Sequence, residues 1–278
     1  MTVDARLTVQ AHLRQAASKL DSRLEAEVLL ACVLGKNRTW LYAHTGQTLD
    51  PVSSVFFEQL VERRRCGEPV AYLIGKREFY GRDFAVNPDV LIPRPETELL
   101  VDRALALPLP SNACVVDVGT GSGCIALTLA AERSNWQVLA TDVSPQALTV
   151  ARANQETLGL AGVSLLQSDL LAAVLHHRFD LIVSNPPYVA EGDPHLDRGD
   201  LRFEPSIALS CEDDGLALIV RLTDQASAIL KPGGWLAIEH GHDQGKAVAA
   251  LFGRAGLVQI ETCNDLAGLP RLTLGQQQ

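Results

Sequence analysis

Short apolar segments alternate with helical stretches over the last two thirds of the chain, and this alternation constrains the fold most. Each apolar segment has the length of one buried strand and is too short for a core helix. The predicted strands are residues 114–118, 136–141, 163–167, 181–184 and 235–239, with two more near 258–262 and 271–274. The pattern predicts an α/β protein with a mostly parallel sheet and helices on both faces.

The first 75 residues have another pattern, with apolar residues at helical spacing. Ser22 and Glu25 form a capping box and Gly35 stands where a helix would end, so residues 1–75 are predicted to form a small all-helical domain. Residues 71–75, 78–81 and 83–86 alternate in strand fashion around Gly81, which predicts a β-hairpin. We therefore expect a hairpin linker over residues 76–95 and a main domain over residues 96–278.

Composition excludes several classes of protein. Nearly half of the 278 residues are apolar, no apolar run approaches the roughly 18 residues of a membrane span, and the N-terminus lacks the features of a signal peptide. We expect a cytoplasmic protein with no membrane partner. The six cysteines lie far apart without a C-x-x-C spacing, which argues against a disulfide framework and a thiolate metal site. The formal charge of −9 disfavours a large nucleic-acid footprint.

Polar residues and glycines follow four neighbouring predicted strands. The loop Gly119-Thr120-Gly121-Ser122-Gly123 follows the first strand, Asp142 ends the second, and Asp169-Leu170 follows the third. Ligands of open α/β sheets bind at the carboxyl ends of the strands. The glycine loop is expected to let a ligand approach and to point helix N–H groups at it, while Asp142 accepts two ribose hydroxyls and Asp169 faces the base amine. The arrangement predicts an adenosine-containing cofactor.

The fourth strand runs into Asn185-Pro186-Pro187-Tyr188. Each proline fixes φ and lacks an N–H, so the turn is stiff and its carbonyls have no neighbouring donor. Asn185 Oδ1 and the Pro186 carbonyl could accept two N–H bonds from a flat NH2 group while Tyr188 packs on its face. Taken alone, this stretch could instead be an ordinary proline-rich turn that binds no ligand.

The glycine loop departs from the dinucleotide fingerprint G-x-G-x-x-G, and no lysine follows it as a P-loop requires. Together with Asp117, Asp142 and Asn185-Pro186-Pro187-Tyr188 it resembles the motifs of class I S-adenosylmethionine-dependent methyltransferases. The Asn-Pro-Pro-Tyr form resembles those that methylate an amino nitrogen conjugated to a planar group. This resemblance implies S-adenosyl-L-methionine as cofactor and S-adenosyl-L-homocysteine as product.

Further stretches narrow the resemblance, which covers essentially the whole chain. Similarity to the HemK/PrmC family extends to residues 91–98, residues 202–205, Glu68-Pro69, residues 77–79 and the helical N-terminal region. That family methylates the glutamine amide in the Gly-Gly-Gln motif of class-1 peptide chain release factors. Two positions depart from its pattern: Leu170 stands where an aromatic residue is frequent, and Pro270 stands where a polar residue is usual.

The resemblance implies roles for the remaining candidates. Asn185, Pro186 and Tyr188 would be catalytic, and Asn185 would also contact the cofactor. The same turn with Pro187, Arg94 and Glu98 would bind the substrate. Glu96 and Glu98 could instead be first-turn acids favoured by the helix dipole. Structural or exposed roles are expected for His195, His240 and His242. Residues 1–75 would recognise the protein substrate, and the enzyme would be a monomer that does not bind nucleic acid directly.

Because an amide nitrogen is weakly nucleophilic and the sulfonium methyl is a strong electrophile, orientation and desolvation should account for most of the catalysis. No general base is nominated. The alternatives within the methyltransferases are a ribosomal-protein glutamine methyltransferase and a nucleic-acid enzyme acting on N6 of adenine or N2 of guanine. A binding module without activity is the alternative outside them.

Overall fold

The computed structural model describes residues 7–194, 196, 199–211 and 215–278. The chain divides into two compact units, with the boundary between Gly75 and Lys76. None of the helices within the described residues is both long and apolar enough to cross a membrane.

The first unit is helical throughout its described secondary structure, apart from one isolated bridge between Thr8 and Thr48. Its helices are α1 (Val9–Leu20), α2 (Arg23–Leu34), α3 (Arg38–Ala43), α4 (Pro51–Arg65) and α5 (Val70–Ile74). As predicted, Ser22 caps α2 through a bond from the Glu25 N–H, and Gly35 ends that helix with φ at 60°. The helices bury one apolar core that includes Leu13, Leu29, Leu30, Phe57, Leu60 and Leu73.

The predicted strand character of residues 71–75 is wrong. Residues 71–74 lie in α5, and Gly75 ends that helix in the left-handed conformation, with φ at 74°. Ala71, Tyr72 and Leu73 are all buried, whereas an alternating strand would bury every second residue. Five residues are too few to separate the two periodicities, and burial in the helical unit decides between them.

The second unit begins with the predicted hairpin, β1 (Lys76–Phe79) and β2 (Arg82–Ala85), joined through Tyr80 and Gly81, which both have positive φ. The hairpin is packed into this unit, because Phe79 and Phe84 are buried in the same core as Leu100 and Val115. A short 3-10 helix, Pro95–Thr97, leads into α6 (Glu98–Ala106).

Seven strands of the described chain form the central sheet. In chain order the elements after α6 are β3 (Cys114–Val118), α7 (Cys124–Glu132), β4 (Gln137–Asp142), α8 (Pro145–Leu158), β5 (Ser164–Gln167), β6 (Phe179–Ser184), β7 (Val189–Ala190), α9 (Ser206–Leu209), β8 (Ser210–Cys211), α10 (Ala217–Ile229), β9 (Leu230–Glu239), α11 (Gly245–Arg254), β10 (Val258–Asn264) and β11 (Pro270–Gln276). The strand order is β10-β11-β9-β6-β3-β4-β5. The five strands from β9 to β5 pair in parallel, and β11 and β10 add antiparallel pairs at one edge.

α6, α7 and the hairpin pack on one face of the sheet through one apolar layer, and α10 and α11 pack on the other face through a second. This confirms the α/β prediction. The chain order reverses between β3 and β6, since β4 and β5 lie on one side and β9 on the other. Such a reversal opens a crevice at the carboxyl ends of the strands, where open α/β sheets bind ligands.

Candidate active site

A cavity of about 370 Å³ lies at this reversal. Its wall takes residues from the loops after β3, β4, β5 and β6, so the topology brings together stretches that are far apart in the sequence. Most of the predicted site residues line it: Arg94, Gly119, Thr120, Gly121, Ser122, Asp142, Asp169, Leu170, Asn185, Pro186 and Pro187. Gly123, Glu98 and Tyr188 lie outside that lining.

The glycine loop leaves space where a ligand would approach. Gly119 and Gly121 have φ of 72° and 56°, and a Cβ on either would meet no atom within 4 Å. Gly123 serves another purpose, because a Cβ there would lie 3.0 Å from Leu127 Cδ1 and 3.3 Å from Ala151 Cβ. Two glycines therefore open the cavity, and the third lets α7 and α8 pack closely.

Four of the five N–H groups in this loop are bonded within the protein. The N–H groups of Gly119 and Thr120 both donate to the Thr141 carbonyl, and that of Gly123 donates to the Thr120 carbonyl. The Gly121 N–H donates to Asp142 Oδ2 at 2.8 Å. The loop thus offers close backbone approach, and its donors hold the loop itself together.

Asp142 stands at the end of β4 with both carboxylate oxygens engaged. Besides the bond from Gly121, Oδ1 accepts from the Ser144 N–H at 2.9 Å. Burial raises the pKa of this carboxyl, and the backbone bonds oppose the rise. Each oxygen has a second lone pair for a hydroxyl donor, so the geometry fits a carboxylate that holds a ribose.

Asp169 and Leu170 form the next part of the wall. Asp169 is exposed and pairs with Arg221 at 2.6 Å through Oδ2. Leu170 has a φ of 50°, a left-handed conformation that is costly for a leucine, and its carbonyl accepts from Thr141 Oγ1. The backbone is thereby held so that Leu170 both lines the cavity and packs against the core.

The Asn185 side chain is held at its nitrogen end. Nδ2 donates to Thr97 Oγ1 at 3.0 Å, and both residues line the cavity. Glu239 ends β9 beside them and is 3% exposed. Burial raises the pKa of the Glu239 carboxyl to about 7, while the neighbouring polar side chains of Thr97 and Asn185 oppose the rise. Among the described residues, none donates to Asn185 Oδ1, which remains available as an acceptor.

The rest of the turn divides between cavity and core. Pro186 is buried and Pro187 half-buried, and both line the cavity. The Tyr188 ring packs against the core on the α10 side of the sheet. Its carbonyl accepts from Gln244 Nε2 at 3.0 Å, and burial raises the pKa of its phenol. Tyr188 thus anchors the end of the turn in this structure.

Arg94 and Glu204 connect the two family-like stretches, residues 91–98 and residues 202–205. Arg94 Nη2 donates to Glu204 Oε1 at 2.5 Å, and the Glu204 side chain is fully buried. Glu204 Oε2 accepts from the Ile92 N–H at 3.0 Å. Arg94 is therefore tied to the loop before α9 at the cavity wall. Glu98 accepts from the Tyr80 N–H at 2.8 Å and so holds the hairpin turn.

The histidines lie apart from the cavity lining where they are described. His240 is fully buried, with Nδ1 2.9 Å from the Gly241 carbonyl and Nε2 2.8 Å from Thr273 Oγ1. His242 is exposed. His195 lies outside the described residues.

The sequence analysis assigned no role to several residues of the site. Thr97 lines the cavity, whereas Glu204 and Glu239 lie behind the lining residues Arg94 and Asn185. Thr97 and Glu204 belong to the family-like stretches, and Glu239 ends a predicted strand. Val143 follows Asp142, is exposed and lines the cavity, as does Ile207 of α9. These two apolar side chains suit the flat face of a base.

Comparisons with known proteins cover both units. A family model described as the PrmC N-terminal domain matches residues 4–75, and one described as the methyltransferase small domain matches residues 95–199. The release factor glutamine methyltransferase of Shewanella oneidensis is 46% identical over 266 residues, which is 96% of this chain and 93% of that protein. The Escherichia coli (strain K12) protein of the same name is 44% identical over 269 residues, which is 95% of this chain and 97% of that protein.

The chain belongs to the release factor glutamine methyltransferase family. This confirms the resemblance drawn from the motifs. A solved methyltransferase structure from Pyrococcus furiosus, 20% identical, shares the fold with a TM-score of 0.54 over 79% of this chain and 96% of that chain. The protein is accordingly a methyltransferase with S-adenosylmethionine as methyl donor. The open glycine loop, the Asp142 carboxylate and the apolar Val143 fit that donor.

Proposed function

We propose that this enzyme methylates the side-chain amide nitrogen of the glutamine in the Gly-Gly-Gln motif of class-1 peptide chain release factors. Asn185 and Pro186 bind the amide, and the rest of the Asn185–Tyr188 turn holds them in place. The observation that carries the proposal is the Asn185 amide, whose nitrogen end is bonded to Thr97 and whose oxygen end is available at the cavity wall. An acceptor in that place suits a substrate that presents an NH2 group.

Two acceptors can hold the two N–H groups of one amide. Asn185 Oδ1 is one, and the Pro186 carbonyl is the other because Pro187 brings no N–H to compete for it. S-adenosylmethionine supplies the methyl group as a sulfonium electrophile. As the glutamine nitrogen takes up positive charge, its bonds to these two oxygens strengthen, and this stabilises the transition state selectively. Neither oxygen is a strong base, so the displaced proton passes to water.

The binding of the donor is assigned to the loop residues Gly119 to Gly123, with Asp142 on the ribose and Asp169 and Leu170 beside the base. Arg94, tied to Glu204, would shape the substrate side of the wall. Glu98 and Tyr188 are better suited to support, because the first holds the hairpin and the second packs in the core. The helical unit is assigned to recognition of the release factor, and the enzyme is proposed to be a cytoplasmic monomer that does not bind nucleic acid.

The assay uses the enzyme, S-adenosylmethionine with a labelled methyl group, and intact release factor, and locates the methyl by mass spectrometry. An adenine-containing oligonucleotide and ribosomal proteins serve as competing substrates. A methyl on the Gly-Gly-Gln glutamine supports the proposal. A methyl on either competitor and none on that glutamine contradicts it.

Asn185→Ala tests the residue role. We expect cofactor affinity within about threefold of wild type by calorimetry and a loss of transfer of at least about a hundredfold, since the loss of one transition-state hydrogen bond costs about 3 kcal/mol. Undiminished transfer by this variant would show that the amide of Asn185 does not bind the substrate.

A further inference from the structure

The Asn185 side chain needs a device that sets its orientation. The oxygen and nitrogen ends of the amide have nearly the same shape. The hydrogen-bonding groups around the amide must therefore decide which end faces the substrate. Turned the other way, Nδ2 would meet the N–H groups of a glutamine amide, donor against donor. The turn itself places Asn185 but does not choose between these orientations.

Thr97 supplies the partner at 3.0 Å from Asn185 Nδ2. A threonine hydroxyl carries one proton and can either donate or accept toward a neighbour. It therefore selects the nitrogen end of Asn185 only if its own proton is committed elsewhere. Thr97 is 2% exposed, so bulk water does not take that proton.

Glu239 is the acidic neighbour of Thr97. In the parallel pairing of β6 with β9, Ser184 lies opposite Ile238, so the residues that follow them, Asn185 and Glu239, are neighbours. The Thr97 hydroxyl and the Asn185 amide act electrostatically on the Glu239 carboxyl, although among the described residues neither forms a hydrogen bond with it. An ionised carboxylate attracts the proton of a nearby hydroxyl. Its charge turns the Thr97 proton toward Glu239, and the lone pairs of Thr97 are left for Asn185 Nδ2.

We propose that Thr97 and Glu239 are positioning residues: the charge of the Glu239 carboxylate turns the Thr97 proton away from Asn185, Thr97 Oγ1 accepts from Asn185 Nδ2, and this relay keeps Asn185 Oδ1 toward the substrate amide. The inference rests on the proposed role of Asn185 as the acceptor of the glutamine N–H. It also gives a role to the threonine in the family-like stretch of residues 91–98, which the function alone left unexplained.

The test compares two matched variants of the full-length enzyme. Thr97→Val keeps the shape of the side chain and removes the hydroxyl, and Thr97→Ser keeps the hydroxyl. With valine, Nδ2 loses its partner and turns to the cavity, because an unbonded buried donor is costly. We expect Thr97→Val to lower kcat on release factor about tenfold or more, and Thr97→Ser to stay within about threefold of wild type. Both variants should bind S-adenosylmethionine as wild type does in calorimetry.

A double-mutant cycle separates orientation from general support. In the Asn185→Ala background, Thr97→Val should change the residual kcat by less than about twofold, because no amide remains to be oriented. A loss as large as in the wild-type background would overturn the relay, as would equal kcat for valine and serine at position 97. If wild type places no methyl on the release factor, the proposed function fails; if it does and these variants behave alike, only the relay fails.

Discussion

Asn185 shows how a residue in the site depends on neighbours that its local sequence does not reveal. Nδ2 is bonded to Thr97 from the 3-10 helix before α6, and Glu239 arrives from the end of β9. Glu239 Oε2 is buried without a hydrogen-bond partner among the described residues, which accords with a carboxyl that is costly to ionise. The surroundings of one amide thus come from three separate segments.

Glu239 should give the reaction a pH dependence. Burial raises the pKa of this carboxyl to about 7; Glu96 adds to the rise, and Thr97, Asn185 and Arg271 oppose it. Cys124 and Tyr188 also face its charge. The relay requires the ionised form, so we expect kcat to fall as the pH falls through about 7. Glu239→Gln should lose that dependence.

The kcat–pH profile of Glu239→Gln must be compared with that of the wild-type enzyme, because burial also raises the pKa of Asp117 to about 7. Asp117 is untouched in the glutamine variant. A fall in kcat of the same size and midpoint in both enzymes would assign the titration to another group and remove Glu239 from it.

At the scale of elements, Asn154 of α8 joins the hairpin to the glycine loop. Oδ1 accepts from the Ala85 N–H at 2.7 Å, and Nδ2 donates to the carbonyls of Ala85 and Ser122 at 3.0 and 2.8 Å. Asn154 is 2% exposed. The hairpin and the loop that shapes the cavity are therefore held by one buried amide.

We expect Asn154→Ala to lower the free energy of unfolding by about 2 kcal/mol, because it leaves backbone groups without their partner. Glu156→Ala on the exposed side of the same helix is the control and should change it by less than about 0.5 kcal/mol. Urea unfolding measures both. Equal effects of the two substitutions would show that the three bonds of Asn154 contribute little.

Most elements were predictable where the local pattern agrees with the tertiary surroundings. The parallel strands, the capped helix α2 and the turn at Gly81 follow from periodicity and backbone preference. The strand prediction for residues 71–75 failed because five residues fit both the helical and the strand periodicity. The internal bonds of the glycine loop were not predictable, because Thr141 and Asp142, which accept from three of its N–H groups, lie on the neighbouring strand β4.

At the scale of the whole molecule, each unit buries an apolar core of its own. Residues 76–278 are therefore expected to fold alone and to bind S-adenosylmethionine within about threefold of the full chain. If the helical unit recognises the release factor, its removal should lower kcat/KM on the intact factor at least about tenfold. A short Gly-Gly-Gln peptide should be methylated equally by both forms.

The peptide is the internal control of this experiment, since it can reach only the cavity. A truncated enzyme that methylates the intact factor as well as the full chain does would remove the helical unit from substrate recognition. Equal losses on factor and peptide would instead point to damage in the second unit, and cofactor binding by calorimetry identifies that case.

The sequence by itself determined the class of the fold, the edge of the sheet that carries the site and the residues at four strand ends, because strand periodicity, proline and glycine act locally. Only the tertiary structure decided which partners those residues have. It turned the loop donors inward, placed Tyr188 and Glu98 in supporting positions, and brought Thr97 and Glu239 to Asn185. Hydrogen bonds between distant segments depend on strand order and register, which no local pattern encodes.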